Sequence, residues 1–387
     1  MSTRPLTVLA VLDSLAPGGT ETSTVAVAPL LAEHGVDLTI VTLRHVPSPL
    51  HDTVAGDGTH VIQLASRGRL GRARELRRLV RSLRPDVVHT ALFEADIVGR
   101  VAAAGTGATT VSSFVNTPYV AARLSDPHVT RWKLRLVQLI DAATLRLLVD
   151  VVHSVSEGAK QANCTALHVP ERKVMVVERG RDAATLGVGS PERSSRVREA
   201  LDIAPDATVL LNVGRLEHQK GQNELIRAMG LVVRSVPDAV LLIAGKDGAA
   251  KAEIERALAA DPRVASHVRL LGHRDDVPDL LAAADLLVIS SHFEGTAGVA
   301  LEAMAIGTPT VSTDLDGLRG ILDHDRNAHI VASPQPEHLA EGINRLLADP
   351  DRAQRLADRA ADDFRERFTL EQSARRLAEM YRVLAGH

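Results

Sequence analysis

Aromatic side chains are scarce in this 387-residue sequence, at 2% of the total. So few rings leave little surface for stacking bases, which argues against a protein that binds single-stranded nucleic acid. Cys164 is the only cysteine, so an internal disulfide and a paired-cysteine zinc site are both excluded. We expect Cys164 to be a small buried side chain. The formal net charge of −3 gives no indication of a polyanionic partner such as nucleic acid.

Long apolar runs are missing as well. Residues 1–15 contain too short an apolar run for a membrane span and lack a cleavage site of small residues. No later segment reaches about 18 apolar residues without a charge. We therefore expect a soluble, cytoplasmic protein.

The sequence does contain a regular alternation of short apolar runs with longer amphipathic segments. The runs are continuous in Val, Ile and Leu, which predicts strands covered on both faces. Strands that alternate with helices predict parallel, doubly wound α/β sheets. The first predicted series of strands comprises 7–13, 37–43, 61–64, 86–90, 109–114, 150–155 and 173–177. The second comprises 208–214, 239–245, 267–272, 285–291, 308–313 and 329–332.

A break between the two series predicts two Rossmann-like domains. Residues 184–198 are rich in Gly, Ser, Arg and Pro, and form the predicted linker between domains at 1–183 and 199–368. Residues 369–387 are predicted to form a helix that packs back on the first domain through an apolar stripe. The stripe consists of Leu370, Ala374, Leu377, Tyr381 and Leu384. Because ligands bind at the carboxyl ends of parallel strands, the two domains are expected to face a cleft.

A basic helix is predicted at 67–84, where eight arginines accompany an apolar stripe. The arginines could make weak contact with an anionic membrane surface, or they could line a solvated helix face. We favour the solvated face, because charge runs of this kind usually are solvated.

Two glycines follow the first predicted strand and precede a helix. Gly18 and Gly19 allow a ligand to approach the backbone, and the start of the helix offers free amides to an anion. The sequence has neither a GxxxxGK[ST] P-loop nor a GxGxxG dinucleotide motif. The glycine pair is therefore a weak signal for a ligand site.

A second candidate loop follows the predicted strand at 208–214. Arg215 and Lys220 lie in this loop, where a helix begins. Arginine binds phosphate through two parallel hydrogen bonds, and lysine is a compact cation. Two cations beside a helix start suit a departing diphosphate, whose negative charge grows as it leaves. The alternative is that both are ordinary surface residues.

A third candidate loop follows the predicted strand at 285–291 and carries two acids. Glu294 is predicted in the loop, and Glu302 in the first turns of the next helix. A carboxylate within a buried helix is costly unless it accepts hydrogen bonds, and sugar or ribose hydroxyls are suitable donors. Glu302 could instead cap the helix or pair with a neighbouring arginine.

Three segments of the second half resemble the retaining GT-B glycosyltransferases of family 4. These are "VGRLEHQKG", "LLGHRDDVPDLLAAADLLVISS" and "FEGTAGVALEAMAIGTPTVST". The family pattern includes G-R-L-x-x-x-K-G and a glutamate pair spaced E-x7-E, which Glu294 and Glu302 match. The segments "RPDVVHT", "VSEGAKQ" and "FTLEQSARRLAEMY" also resemble the family, so the similarity extends over nearly the whole chain.

The resemblance implies a hexosyltransferase that holds a nucleoside-diphosphate sugar in its second domain and needs no metal. It implies that Arg215 and Lys220 bind the diphosphate. It also implies that Glu302 binds the ribose hydroxyls and Glu294 the hydroxyls of the donor sugar. A UDP-sugar is favoured over a GDP-sugar. Further donor contacts are implied for Gly18, Gly19, Gly272, Arg274, Thr296, Ala297 and Gly298.

The sequence departs from the family in the loop after the fifth strand of the first domain. Many members have a histidine there, near the reacting carbon, whereas this chain has Asn116. Asparagine cannot act as a base, but it can donate a hydrogen bond to a sugar oxygen. We therefore expect catalysis by positioning and electrostatics, with the departing diphosphate taking the proton of the acceptor.

The acceptor is expected to lie against the first domain, near Glu94, Asn116, Thr117 and Tyr119. A small aglycone, a polysaccharide end and a lipid-linked intermediate all remain open. Two other functions fit the same scaffold, namely a nucleotide-sugar epimerase and a two-lobed sugar-binding protein without turnover. An epimerase would consume the donor without an acceptor, and the lack of an export signal counts against the binding protein.

Overall fold

The apolar runs of the sequence fold into parallel strands, and each of the thirteen predicted strands is present with its ends within two residues of the prediction. The computed structural model describes residues 5–16, 18–121, 123, 129–295 and 297–386. The chain divides into two units. The first comprises Met1–Tyr119, Thr130–Arg181 and Arg367–His387, and the second comprises Val120–Val129 and Asp182–Glu366.

The first unit contains a seven-stranded parallel sheet. Its strands are β1 (Leu6–Leu12), β2 (Val36–Thr42), β3 (His60–Gln63), β4 (Val87–Ala91), β5 (Thr109–Phe114), β6 (Val151–Ser154) and β7 (Val174–Val176). They lie in the order β3-β2-β1-β4-β5-β6-β7. Its first helices are α1 (Gly19–Glu33), α2 (Leu50–Gly56), α3 (Arg69–Leu83), α4 (Phe93–Ala103), α5 (Arg131–Leu148) and α6 (Glu157–Leu167).

Strand β1 shows that this sheet is covered on both faces. Val8, Ala10 and Leu12 join one buried cluster, which includes residues of α1. Leu9 and Val11 point the other way and join a cluster with residues of α3 and α4. Successive side chains of a strand point to opposite faces, so an uninterrupted apolar run is what such a two-sided core requires.

The second unit contains a six-stranded parallel sheet. It begins with two short helices, α7 (Ala183–Leu186) and α8 (Pro191–Ala200). Its strands are β8 (Val209–Val213), β9 (Val240–Ala244), β10 (Val268–Gly272), β11 (Leu286–Ile289), β12 (Thr310–Thr313) and β13 (His329–Val331), in the order β10-β9-β8-β11-β12-β13. Its other helices are α9 (Gln222–Ser235), α10 (Lys251–Ala260), α11 (Pro262–Ala265), α12 (Val277–Ala283), α13 (Gly298–Ile306), α14 (Pro336–Leu347) and α15 (Pro350–Asp363).

The last helix, α16 (Leu370–Ala385), belongs to the first unit and packs against α1. Its predicted stripe lies on the inner side, where Leu370, Ala374 and Tyr381 are buried. This amphipathic pattern is therefore explained by packing against the first unit's core.

The predicted linker, residues 184–198, is largely helical and lies in the Asp182–Glu366 segment of the second unit. Ser190 caps α8 by accepting a hydrogen bond from the amide of Arg193 at 3.2 Å, and Pro191 occupies the first turn. Asp182 caps α7 in the same way. These capping residues start helices, so the polar composition of the segment reflects short, partly exposed helices and not a flexible connection.

Each sheet has one place where the strand order reverses. In the first unit β1 has β2 on one side and β4 on the other, and in the second unit β8 has β9 on one side and β11 on the other. The loops that leave the carboxyl ends of the two strands diverge there and open a crevice. The loops after β8 and β11 are therefore the first place to look for a ligand site in the second unit.

Candidate functional site

The loop after β8 is shaped by glycines at positions where a side chain would collide with backbone. Gly221 has φ of +64°, and a Cβ built on it would lie 2.0 Å from the carbonyl oxygen of Ser290. A Cβ on Gly245 would lie 1.9 Å from the carbonyl oxygen of Gly214. No larger residue fits either place without displacing the backbone, so the sequence positions this loop through its glycines.

Hydrogen bonds join this loop to the loop after β11. The Ser290 hydroxyl donates to the carbonyl oxygen of Lys220 at 2.9 Å. The amide of His292 donates to the carbonyl oxygen of Gln219 at 2.8 Å, and the Gln219 side chain donates back to the carbonyl oxygen of Phe293 at 2.8 Å. The two loops therefore form one cross-linked unit, so their side chains are held in a fixed relation.

An ion pair between Lys220 and Glu294 stands at the centre of this arrangement. Glu294 is 6% exposed, and one of its oxygens also accepts a hydrogen bond from the Ser291 hydroxyl at 2.8 Å. A buried carboxylate is tolerated when it is paired and hydrogen-bonded in this way. An ammonium has three hydrogens to donate, so its bond to Glu294 leaves it able to bind an anion as well.

Two histidines flank the ion pair. The rings of His218 and His292 stack with centroids 4.9 Å apart and an angle of 15° between planes. His292 also approaches Glu224 of α9, with Nε2 3.4 Å from Oε1. Burial raises the pKa of Glu224. The contact with His292 and other local hydrogen bonds and charges lower it by more, so the pKa lies below its ordinary value. The stack thus adds a side-chain link between the same two loops.

Helix α13 begins directly after the second loop. The residue that precedes its first turn is Ala297, whose side chain cannot accept a hydrogen bond. The first amides of the helix therefore point toward the loop without a side-chain cap. Glu302 lies in this helix and is half-buried. Gly317 packs against the loop so closely that a Cβ built on it would lie 2.0 Å from the carbonyl oxygen of Gly295. Thr296 lies outside the described residues, so its predicted donor contact stays a prediction.

The two predicted cations have different partners in the structure. Lys220 pairs with Glu294, whereas the side chain of Arg215 is 67% exposed and approaches Glu217 at 3.4 Å. Arg274 is held by Asp276 through two hydrogen bonds, one of them 2.7 Å long, and these raise its pKa. The guanidinium of Arg274 therefore already has a carboxylate partner within its own loop.

The predicted glycine pair of the first unit lies beside buried charge. Gly18 caps α1, and Gly19 is the first residue of that helix. Arg179, which follows β7, donates to the Thr20 hydroxyl at 2.9 Å. Burial lowers the pKa of Arg179 to about 10, and burial also raises the pKa of Glu21. The sequence does not predict that Glu21 and Arg179 lie near the same helix start, because only the fold brings them together.

The predicted acceptor residues are mostly engaged within the first unit. Glu94 pairs with Arg69. The Tyr119 hydroxyl donates to Asp141 at 2.7 Å, and Thr117 is buried. Asn116 is exposed, and its carbonyl oxygen accepts a hydrogen bond from the side chain of Asn163 at 2.9 Å. Of these four side chains, the exposed Asn116 is the best placed to meet a ligand.

One group of possible metal ligands occurs among the described residues, and it consists of His324, Asp325 and His329. It lies at the amino end of β13, on the opposite edge of the sheet from the loops after β8 and β11. Arg352 pairs with Asp325 and approaches the Nδ1 atom of His329 at 3.3 Å. The guanidinium of Arg352 thus contacts two of the three possible ligands.

Two family models match the chain. The model described as Glycosyltransferase Family 4 matches residues 17–185. The model described as Glycosyl transferases group 1 matches residues 194–363, and this range contains both cross-linked loops. Together the two models cover most of both units.

Two curated relatives have similar sequences. An uncharacterized glycosyltransferase of Methanocaldococcus jannaschii is 32% identical over 60% of this chain and 60% of its own length. A D-inositol 3-phosphate glycosyltransferase of Thermobispora bispora is 32% identical over 63% of this chain and 57% of its own length. The chain thus spans less than two thirds of these relatives.

Solved structures extend the likeness to the whole fold. HepE of Anabaena, crystallised in complex with UDP, superimposes with a TM-score of 0.83 at 20% identity, over 97% of this chain and 99% of that one. Its complex with UDP-glucose gives a TM-score of 0.82 at 21% identity with the same coverage. At this level of identity the likeness concerns the fold alone.

Proposed function

Because the chain belongs to the group 1 glycosyltransferases of family 4 and has their GT-B fold, we propose that it transfers a sugar from a nucleoside-diphosphate donor to an acceptor hydroxyl. The observation that carries this proposal is the Lys220–Glu294 pair, which lies at the carboxyl ends of β8 and β11 where the strand order reverses. This is the position at which open α/β sheets bind nucleotides.

The chemistry required of the site is stabilisation of a leaving group. When the bond from the anomeric carbon to the diphosphate breaks, negative charge builds on the departing oxygen. The Lys220 ammonium and the first amides of α9 and α13 supply positive charge beside it. Arg215, with its exposed guanidinium, would reach the same diphosphate from the loop.

The two glutamates of the site would recognise hydroxyl groups. Glu294 holds Lys220 and would accept from the donor sugar, while Glu302, one helical turn into α13, would accept from the ribose. We propose UDP as the nucleotide, because a protein of this fold has been crystallised with UDP and with UDP-glucose.

Transfer is proposed to proceed with retention of configuration and without a metal. Asn116 offers no base, so the departing diphosphate itself would take the proton of the acceptor hydroxyl. Asn116 would orient a sugar oxygen, and the neighbouring residues Glu94, Thr117 and Tyr119 would lie along the acceptor.

The proposal is tested with UDP and UDP-glucose on the full chain. We expect both to raise the melting temperature, since UDP at a hundredfold excess over its Kd stabilises the folded state by about 2.7 kcal/mol. Lys220→Ala should weaken UDP binding on the order of tenfold, because it removes a charged hydrogen bond. Titration calorimetry measures the loss directly.

Lys251→Ala is the matched control, because Lys251 also pairs with an acidic side chain, Asp247, but lies on the exposed side of α10. It should bind UDP as the unmodified chain does. Unchanged UDP affinity in Lys220→Ala contradicts the diphosphate assignment. Conversion of UDP-glucose to an epimer in the absence of any acceptor would replace the transferase by an epimerase.

A further inference from the structure

Helix α5 presents a stripe of large apolar side chains to solvent. Trp132, Leu136, Leu139 and Leu147 are 64%, 50%, 66% and 81% exposed. They follow one another at spacings of four, three and eight residues, which places them on one face of the helix. Ile140 lies at the edge of the same face and is 40% exposed.

These side chains are not needed for the core of the first unit. The opposite face of α5 already supplies it, because Ala142 and Leu145 are buried against Phe114 and Val152. Other exposed large apolar residues, such as Leu70 and Val383, are spread over different helices. Single exposed apolar residues are ordinary, but a contiguous stripe indicates a surface that something else covers.

The stripe is flanked by positive charge. Arg131, Lys133, Arg135 and Arg146 are exposed on α5. The only acidic residue within Arg131–Leu148 is Asp141, which is buried and paired with Arg100. The exposed surface of this helix therefore combines large apolar groups with cations and presents no carboxylate.

We propose that α5 docks the protein on the surface of a bilayer that contains anionic lipid. An apolar stripe between basic flanks, with a tryptophan near one end, is the composition of a helix that lies in the headgroup layer. No helix in the described part of the chain has both the length and the apolar character that a bilayer span requires. The contact is thus a surface contact.

A second copy of this chain is a poorer occupant. In a twofold dimer through this face, the basic flanks of one helix would approach the same basic flanks of its partner, and these like charges would repel each other. A negatively charged bilayer satisfies the cations and the apolar stripe together.

Helix α3, for which weak membrane contact was the less favoured alternative to a solvated face, lacks such a stripe. Its exposed apolar residues, Leu70 and Leu83, are thirteen residues apart and lie on different sides of the helix. Helix α4 packs between α3 and α5, so the three helices belong to one layer. The arginines of α3 therefore add positive charge to the layer that carries the apolar stripe of α5.

The sequence supplies a direct probe, because Trp132 is the only tryptophan. The full chain is mixed with vesicles of equal parts phosphatidylcholine and phosphatidylglycerol, and with vesicles of phosphatidylcholine alone. We expect sedimentation with the anionic vesicles and a blue shift of tryptophan emission. We also expect quenching by lipids brominated in the upper acyl chain, and weaker binding at high salt.

Leu139→Glu and Val383→Glu form a matched pair, since the two side chains are 66% and 67% exposed and each change adds one negative charge. Leu139→Glu should weaken vesicle binding on the order of tenfold. Val383→Glu, on α16, should leave it unchanged. Equal melting temperatures for both variants show that the fold is intact.

Three results overturn the proposal. The first is a failure of the unmodified chain to bind anionic vesicles at low salt. The second is an equal loss of binding in the two variants, which places the contact elsewhere. The third is a dimer that Leu139→Glu dissociates in the absence of lipid, which makes this face a contact between copies. None of these measurements uses a sugar donor, so they are independent of the proposed transferase activity.

Discussion

Gly221 is the residue at which the two loops of the candidate site meet. Its backbone is left-handed, with φ of +64°, and the Ser290 carbonyl lies where a Cβ would be. Lys220 precedes it directly, so the direction of the lysine side chain depends on this one backbone conformation. A residue with no side chain therefore determines where the cation of the site points.

We predict that Gly221→Ala destabilises the protein by at least about 3 kcal/mol, because it adds left-handed strain to a steric overlap with backbone. UDP affinity should fall as well, since the strain is relieved by moving Lys220 away from Glu294. Urea denaturation and calorimetry measure the two effects.

Gly307→Ala is the control for the strain alone. Gly307 also has positive φ, +86°, but nothing lies within 4 Å of the position of its Cβ. Gly307→Ala should lower the free energy of unfolding by about 1 kcal/mol and leave UDP binding unchanged. Equal costs for the two variants would show that the contact between Gly221 and Ser290 does not hold the loops.

The sequence predicts candidate site residues but not how they pair. Glu294 and Lys220 are 74 positions apart, and only the adjacency of β8 and β11 brings them together. From the sequence, Lys220 is grouped most naturally with Arg215, because both lie in one loop. Gln219 is not predicted from the sequence either, because its partner Phe293 is also 74 positions away along the chain. Ser290 and Ser291 could have been noticed as hydroxyls at a strand end.

At the scale of secondary structure elements, a buried hydrogen-bond chain links β4, β5, β6 and α16. His89 contacts the Tyr381 hydroxyl at 2.6 Å and the Ser113 hydroxyl at 2.7 Å. Ser113 also contacts His153 at 2.8 Å, and His153 contacts the Val177 carbonyl at 2.9 Å. Both histidines are buried strand residues, and both ring nitrogens of each have a hydrogen-bond partner. The chain ties the C-terminal helix to the centre of the first sheet.

This chain makes the stability of the protein sensitive to acid. Burial lowers the pKa of His153 to about 4, and burial together with the neighbouring His153 lowers the pKa of His89 well below its ordinary value. Both rings are neutral in the folded state, whereas the unfolded chain protonates them below about pH 6.5. The unfolded state binds more protons in acid, so stability is lost as the pH falls from about 6.5 to 4.

We predict that His153 alone accounts for a loss of up to about 3 kcal/mol over that interval. His153→Gln should unfold in urea with a visibly flatter dependence on pH than the unmodified chain, whatever its stability at pH 7. His60→Gln, which replaces an exposed histidine of β3, is the control and should keep the original slope. An unchanged slope in His153→Gln would mean that the acid sensitivity arises elsewhere.

Strands were predictable and the boundary between the units was less so. Continuous Val, Ile and Leu runs indicate strands covered on both faces, and this pattern does not depend on distant partners. The segment 184–198 was predicted to be a linker from its composition, which does not reveal the short helices it contains. Ser190 followed by Pro191 is a helix-start signal within it, and this local signal was the better guide.

At the scale of the whole molecule, each unit has its own sheet and its own buried clusters. The first unit's clusters contain residues of β1, α1 and α16, and the second unit's cluster contains residues of β9, α9 and α14. Because these cores share no residues, ligand binding at the loops after β8 and β11 should act first on the second unit. The effect of a nucleotide is therefore expected to be local, and amide exchange can locate it.

We predict that UDP slows amide exchange at the starts of α9 and α13 and in the loops that precede them. At a hundredfold excess over Kd, amides that exchange only from the unliganded protein should slow by up to about 100-fold. The turn at 324–329 should exchange as before, because it leads into the amino end of β13, whereas the site loops follow the carboxyl ends of β8 and β11. Hydrogen exchange with mass spectrometry resolves these segments, and Lys220→Ala should abolish most of the protection. Protection confined to the first unit would instead place the nucleotide beside Gly18, Gly19 and Arg179, whose buried charge is the other anion-binding candidate.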